Sequence, residues 1–310
     1  MHIPDGFLDT KTIVTTGSLS LAGVAVAWRH TRKHVEPQRI PLLGVTAAFV
    51  FATQMLNFPV AGGTSGHLMG AVLTSLLLGP HAAILVITSV LVVQCLIFAD
   101  GGLLALGANV FNMAILGSVV GSAAHRGFHK LIPGERGGVA AIAVAAWLSV
   151  VLSSLCCAGE LAWSGIVPWN AVAPAMLGVH ALIGGGEALI TCLVIVAIRK
   201  TRPELLTTRA GDTPTIGTSV VAYALLVAVG LVLFVSPFVS TWPDGLEKVA
   251  ATLGFEQRMI QQPVAGGPIP DYRFPGIESP TVATILGGVA GVLIVALLLF
   301  LLSRSLKAKT

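Results

Sequence analysis

The sequence predicts an all-α polytopic membrane protein with about nine transmembrane helices, its N-terminus outside the membrane and its C-terminus inside. Of its 310 residues, 55% are hydrophobic and 10% are charged, whereas soluble domains carry roughly 25% charged residues. Apolar runs long enough for a helix to cross about 30 Å of hydrocarbon recur along the chain. Basic residues separate these runs and form no patch, so we expect a lipid bilayer and no nucleic acid as partner.

Nine apolar segments bounded by polar residues, glycine or proline are the predicted spans. They cover residues 12–28, 40–56, 67–79, 82–99, 109–124, 139–162, 174–198, 219–240 and 283–303. Polar and glycine-rich breaks at 57–66 and 100–102 interrupt the pattern. Irregular backbone at membrane depth is tolerated only in such settings, so these breaks are expected to be buried in protein or to line a cavity.

Positive charge gives the predicted orientation. Fourteen of the 18 Lys and Arg residues follow the first, fifth, seventh and ninth segments, and therefore fall on one side. They are Arg29, Arg32, Lys33, Arg39, Arg126, Lys130, Arg136, Arg199, Lys200, Arg202, Arg209, Arg304, Lys307 and Lys309. The positive-inside rule makes that side cytoplasmic and places the N-terminus outside. Residues 1–9 contain no Lys or Arg, so they lack the basic region of a cleavable signal peptide, and we expect them to be retained.

Three parts are predicted along the chain. Residues 1–200 form a transmembrane domain with the candidate site, and residues 201–218 form a polar cytoplasmic linker. Residues 219–310 form an accessory domain of two helices joined by an outer loop at 242–282.

The motifs of several enzyme classes are missing from the sequence. It contains no G-x-x-x-x-G-K-[ST] phosphate loop and no H-E-x-x-H, so the chain has no ATPase site of this kind. Its four cysteines lie in apolar runs without C-x-x-C spacing, which indicates neither a zinc site nor a disulfide framework. An intramembrane hydrolase using Ser65 and His67 is the weakest alternative, because G-x-S-x-G is also missing. The chain is predicted not to be an enzyme.

The first two residues, Met1 and His2, form a candidate chelate for a transition metal. The Met1 amine, the deprotonated His2 amide and the His2 imidazole would close fused five- and six-membered rings on one ion. Square-planar nitrogen ligation suits Ni(II) and Cu(II) better than Zn(II), which is usually tetrahedral. Pro4 favours an extended conformation at Ile3, so the N-terminus can fold back between the helices as a short rod.

His67 is the candidate for a fourth nitrogen ligand. It follows the glycine-rich break on the side predicted for the N-terminus. The histidines of the predicted inner loops and turns are poorer candidates because they lie on the opposite side. These are His30, His34, His81, His125 and His129.

Other polar residues near the predicted spans either orient the ligands or form a rival site. His180 and Glu187 share a face of the seventh segment, and Glu160 ends the sixth. Ionisable groups at membrane depth tend to line functional cavities, so these three could instead serve a secondary cation transporter or channel. Candidates for orienting the ligands are Gln54, Asn57, Ser65, Asn109, Glu160, His180 and Glu187.

Four segments resemble energy-coupling-factor (ECF) nickel/cobalt transporters. Met-His-Ile-Pro-Asp-Gly-Phe-Leu at 1–8, Gly-Thr-Ser-Gly-His-Leu-Met-Gly at 63–70 and Gly-Ala-Asn-Val-Phe-Asn-Met at 107–113 are similar to their substrate-specific membrane component. Trp-Pro-Asp-Gly-Leu-Glu-Lys-Val-Ala at 242–250, with its flanking spans, resembles their small accessory membrane component, here fused to the first.

The resemblance implies a role and a set of partners. It implies an uptake subunit in a prokaryotic cell membrane that binds Ni(II), with Co(II) as the second candidate, through Met1, His2 and His67. It implies partner subunits, namely cytoplasmic ATPases and a transmembrane coupling protein, and no cofactor beyond the transported ion. Pro4 and Asp5 resemble the nickel branch of the family more than the cobalt branch.

Overall fold

The computed structural model describes residues 1–206, 217–260 and 266–306. Residues 207–216 of the predicted linker lie outside the described part. The α-helices of the described part are α1 (Thr10–His34), α2 (Ile40–Gln54), α3 (Ala71–Leu78), α4 (Pro80–Phe98), α5 (Leu106–Asn109), α6 (Gly117–Leu131), α7 (Glu135–Trp163), α8 (Trp169–Thr201), α9 (Thr218–Val235), α10 (Gly245–Leu253) and α11 (Pro280–Leu306). A π-helical stretch, Val110–Leu116, joins α5 to α6 without a break.

Six helices of the described part are long and apolar enough to cross a membrane, and they confirm a multi-pass helical membrane protein. They are Pro80–Phe98, Leu106–Leu131, Glu135–Trp163, Trp169–Thr201, Thr218–Phe238 and Pro280–Leu302. Helix α2 is apolar but has 15 residues. Helix α1 has 25 residues but carries many Thr and Ser side chains, which lower its hydropathy.

The third predicted span, 67–79, was wrong as a single transmembrane helix. Helix α3 has eight residues, about 12 Å of length, which is too short to cross alone. The preceding residues form an antiparallel hairpin of β1 (Phe58–Val60) and β2 (Thr64–Gly66), with two glycines at positive φ between the strands. Gly79, also at positive φ, ends α3 directly before α4.

The accessory helices α9 and α11 pack against α2, and α11 also contacts α4. Glycine permits the close approach of α11. A Cβ on Gly291 would lie 2.0 Å from the Phe51 ring, and one on Gly288 would lie 2.7 Å from the Met55 sulfur. Small residues allow such contacts between membrane helices. This packing places the segment between α9 and α11 over the N-terminus and the hairpin.

Candidate functional site

Residues 1–9, the N-terminal arm, fold back into the protein and are held by main-chain hydrogen bonds. Asn109 bonds Ile3 twice, because its Oδ1 accepts from Ile3 N at 2.7 Å and its Nδ2 donates to Ile3 O at 3.1 Å. Gly102 N also donates to Ile3 O at 2.9 Å. Ile3 is completely buried. A buried amide and carbonyl that are fully paired fix the position of the two residues before them.

Asp5 fastens the other end of this turn. Its carboxylate accepts hydrogen bonds from the backbone amides of Leu103 and Leu104, at 3.2 and 2.9 Å. Gly102 lies so close that a Cβ there would be 2.2 Å from Asp5 Oδ1. The arm therefore packs directly against the Asp100-Gly101-Gly102 break in the apolar pattern.

The Met1 amine lies beside His67. Its nitrogen is 2.9 Å from His67 Nε2, and both residues are buried. Metal–nitrogen bonds of roughly 2.0–2.1 Å place neighbouring corners of a square about 2.9 Å apart. The two nitrogens thus already have the separation of adjacent ligands in a square plane.

His67 presents a free lone pair to the amine. Its Nδ1 is 3.2 Å from the carbonyl oxygen of Leu68, and only a protonated Nδ1 can donate there, so Nε2 carries no proton. Burial lowers the pKa of the imidazole well below 6.5, and the charge of the Met1 amine lowers it further. A neutral imidazole is the form that binds metal ions.

Two residues predicted from the sequence hold the loop that carries His67. Gln54 Nε2 donates to the carbonyl oxygen of Met69 at 2.9 Å. Glu187 accepts from the amides of Met69 and Gly70 at 2.5 and 2.9 Å. Both side chains are buried, and they bind the main chain of the two residues that follow Leu68.

His2 is oriented by a chain of hydrogen bonds that the sequence did not reveal. His2 Nε2 lies 3.2 Å from Gln94 Oε1, and Gln94 Nε2 donates to the Tyr272 hydroxyl at 3.1 Å. Tyr272 in turn donates to Asp100. Because Gln94 presents its oxygen, His2 Nε2 carries the proton, and Nδ1 keeps the lone pair that the chelate requires.

The surroundings of His2 Nδ1 favour a cation. Asp100 Oδ1 lies 3.3 Å from this nitrogen. Burial lowers the pKa of the imidazole, although the negative charge of Asp100 opposes the shift. The His2 and His67 rings stack with centroids 5.0 Å apart, so both imidazoles face the same small volume.

Asp244, in the outer segment of the accessory part, contacts the first atom of the chain. Its Oδ2 accepts from the Met1 amine at 2.8 Å. Asp244 also caps α10, because its Oδ1 accepts from Glu247 N at 2.8 Å. Burial alone would raise the pKa of Asp244, but the Met1 amine and the Glu247 amide outweigh it and hold the pKa well below its usual range.

Two more predicted residues join the hairpin to the accessory segment and do not touch the candidate ligands. Ser65 donates from its amide to Pro243 O at 2.8 Å and from its hydroxyl to Trp242 O at 2.7 Å. Asn57 accepts from the amide of Ser240 through its main-chain oxygen.

The three residues of the rival site are buried but have separate partners. Glu160 accepts from Asn112 Nδ2 at 2.7 Å, whereas Glu187 binds the loop described above. His180 donates from Nδ1 to Met176 O within its own helix. These contacts do not link the three side chains into a relay.

Sequence reasoning missed Gln94, Asp100, Asp244 and Tyr272 as site residues. Asp100 lies in the break at 100–102, which was noted only as an interruption of the apolar pattern. Asp244 lies in the 242–250 segment, which was noted only for its resemblance to the family. Gln94 lies in an apolar run that also contains Thr88 and Ser89, and no local signal marks Tyr272.

No group of three or more His, Cys, Asp or Glu side chains in residues 1–206, 217–260 and 266–306 is arranged to hold a metal ion. The donor set predicted from the sequence is of another kind, because two of its four atoms are main-chain nitrogens. A cavity of about 790 Å³ adjoins it, and we call this the front cavity. His2, His67, Asp100, Asp244 and Tyr272 are among the residues that line it.

Comparison with known proteins gives a consistent family. Residues 2–205 match the family model described as "Cobalt uptake substrate-specific transmembrane region", and residues 218–308 match the PDGLE domain. A protein of Archaeoglobus fulgidus, named as a fused nickel transport protein, NikMN, is 35% identical over 98% of both chains. A Haloquadratum walsbyi protein, named as a metal transport protein, is 40% identical over 67% of this chain and 94% of its own.

A solved structure is also similar. The crystal structure of a truncated transition metal transporter aligns with a TM-score of 0.59 and 33% identity, covering 64% of this chain and 99% of that one. The family and the fused accessory part predicted from the motifs are confirmed. The chain belongs to the family of cobalt uptake substrate-specific transmembrane regions and is a multi-pass membrane component of a metal-uptake system.

Proposed function

We propose that this chain captures Ni(II), with Co(II) as the second candidate, in a square plane of four nitrogens. The ligands are the Met1 amine, the His2 amide, His2 Nδ1 and His67 Nε2. The observation that carries the proposal is the 2.9 Å separation of Met1 N and His67 Nε2, which matches adjacent corners of such a plane.

Ligand chemistry and the names of relatives support nickel as the cargo. Amide nitrogen and imidazole in a plane suit Ni(II). Relatives of this chain that carry the accessory part are named for nickel, whereas the family description names cobalt. The ion is cargo, so the protein needs no resident cofactor for this role.

The remaining parts of the chain fit an ATP-driven uptake subunit. Residues 1–200 are the metal-binding domain, residues 201–218 the cytoplasmic linker, and residues 219–310 the accessory domain. With its N-terminus outside a prokaryotic cell membrane and its C-terminus inside, the chain would present the front cavity to the exterior. Because the sequence has no phosphate loop, cytoplasmic ATPase subunits and a transmembrane coupling subunit would drive release.

The rival function, a secondary cation transporter or channel, has less support. Its relay would run through His180, Glu187 and Glu160, but their hydrogen bonds go to Met176, to the His67 loop and to Asn112.

Nickel binding by the purified full chain tests the proposal. Placing one alanine before Met1 converts the amine to an amide and moves the charge away, so we expect stoichiometric binding to be lost. His2→Ala and His67→Ala should also abolish tight binding. Matched controls are one alanine added after Thr310 and the exposed His129→Ala, which should bind nickel as the unmodified chain does. Tight binding by the N-terminally extended chain would refute the chelate.

A further inference from the structure

A second, small cavity of about 20 Å³ lies on the other side of the candidate ligands, facing α7 and α8. We call it the rear cavity. Its lining includes Met1, His67, Met69, Met113, His180 and Asp244. Its volume suits one water molecule or one small ion. Met1, His67 and Asp244 therefore separate it from the wide front cavity, where His67 and Asp244 also appear.

His180 contributes a nitrogen donor to the rear cavity. The residue is 1% exposed, and its Nδ1 donates to Met176 O at 3.0 Å, so the lone pair is on Nε2. Among the described residues, Nε2 has no hydrogen-bond partner. Buried polar atoms are nearly always paired, so an unpaired imidazole nitrogen in a cavity indicates a site for a ligand.

The accessory segment leaves this nitrogen uncovered because residue 245 is glycine. A Cβ on Gly245 would lie 2.9 Å from His180 Nε2. Any larger residue after Asp244 would have to displace the imidazole or block the cavity. The same turn that places Asp244 on the Met1 amine thus leaves room at His180.

His180 lies inside α8, in the part of the helix that faces the hairpin and the His67 loop. It lies 11 residues after Trp169, the first residue of α8, which is about 16 Å along the helix. The beginning of α8 is on the side of Asp9, because Ser164, just before it, donates to Thr12 Oγ1 at 2.9 Å. Apart from His180, the cavity wall on α7 and α8 consists of Val150 and Ile183, which offer no ligand.

We propose that His180 Nε2 is a second docking position for the transported divalent ion, occupied when the ion leaves the four-nitrogen plane away from the front cavity. This inference rests on the proposed function. An ion that gives up planar ligands in an apolar cavity is costly to hold without a new donor. His180 supplies that donor, and it is not needed for the plane itself.

The test separates binding from transport. Purified full chains carrying His180→Ala or His180→Gln should each bind one nickel ion with an affinity within about threefold of the unmodified chain. Nickel uptake by cells that express these chains with the rest of the transport system should fall by about tenfold. His129→Ala is the matched control and should change neither quantity.

Two outcomes would overturn the inference. Uptake that stays at the unmodified rate would show that His180 is not on the path. Binding that falls together with uptake in His180→Gln, the variant closer to histidine in size, would make His180 part of the loaded site or of its support. The chain extended by one alanine before Met1 distinguishes the two proposals. Tight nickel binding by that chain would refute the four-nitrogen plane, irrespective of the results for the His180 variants.

Discussion

The two ends of the N-terminal arm are held in different ways. Residues 3–5 are fixed by main-chain hydrogen bonds and close packing against Gly102 to Leu104 and Asn109, all within the first domain. Residues 1–2 are surrounded by side chains, and two of these, Asp244 and Tyr272, come from the accessory part. The contacts of residues 3–5 fix the position of the arm. The side chains around residues 1–2 set the charge around the nitrogen donors and their protonation.

The difference suggests a division of labour between the two parts of the fused chain. The first domain provides most of the hydrogen bonds to residues 3–5, because the bonds to Ile3 and most bonds to Asp5 arise within it. Within residues 3–5, and counting only partners in the described part of the chain, the main-chain oxygen of Asp5 is the atom that bonds outside this domain, to Ile260 N at 2.9 Å. The accessory part completes the electrostatic surroundings of the nitrogen donors. Substitutions that disturb the contacts of residues 3–5 should therefore lower nickel affinity more than substitutions of the accessory side chains.

Gly102→Ala should have the largest effect. The new Cβ would overlap Asp5, at 2.2 Å from its Oδ1 and 2.4 Å from its amide nitrogen. The arm would have to move away from Gly102. We expect nickel affinity to fall roughly hundredfold, measured by equilibrium binding to the purified chain. The control is Gly127→Ala on α6, where a Cβ meets no heavy atom within 4 Å. If Gly102→Ala bound nickel with an affinity within threefold of the unmodified chain, the contacts of residues 3–5 would not be what positions the ligands.

Asp244→Asn should have an intermediate effect. Asparagine has the same shape and can still cap α10, but it removes the negative charge 2.8 Å from the Met1 nitrogen. We expect nickel affinity to fall about tenfold, with the fold retained. Glu278→Gln removes one negative charge at an exposed position outside the lining of the front cavity and should leave affinity unchanged. An equal loss in both variants would assign the effect to overall charge.

Tyr272→Phe should have the smallest effect. It removes the hydroxyl that receives a hydrogen bond from Gln94 and donates one to Asp100, while the ring can keep its stacking on Phe98. A net contribution of about 0.5–1.5 kcal/mol for such a bond predicts roughly a threefold loss of nickel affinity. Tyr223→Phe, exposed on α9, is the control. A loss as large as that of Gly102→Ala would contradict the division described above.

Much of the fold and part of the site could be predicted from local patterns. Apolar length predicted the long helices, because a lipid-facing helix must be apolar over its whole span. The eight-residue α3 was missed, because Leu68, Met69 and Gly70 are apolar or small and continue its pattern, although they belong to a loop over Glu187. Hydropathy does not register a loop that is buried in protein.

The sequence by itself determined the class of protein and predicted a chelate, because Met1, His2 and Pro4, which favours an extended conformation at Ile3, are neighbours along the chain. It also named His67, through the motif that surrounds it. Only the tertiary structure decided which groups stand around those nitrogens. Gln94 and Asp100 come from α4 and the residues just after it, 92 or more positions along the chain from His2. Asp244 and Tyr272 lie up to 271 positions from Met1, and they reach the site because α11 packs on α2 and α4 and carries the accessory segment across the arm.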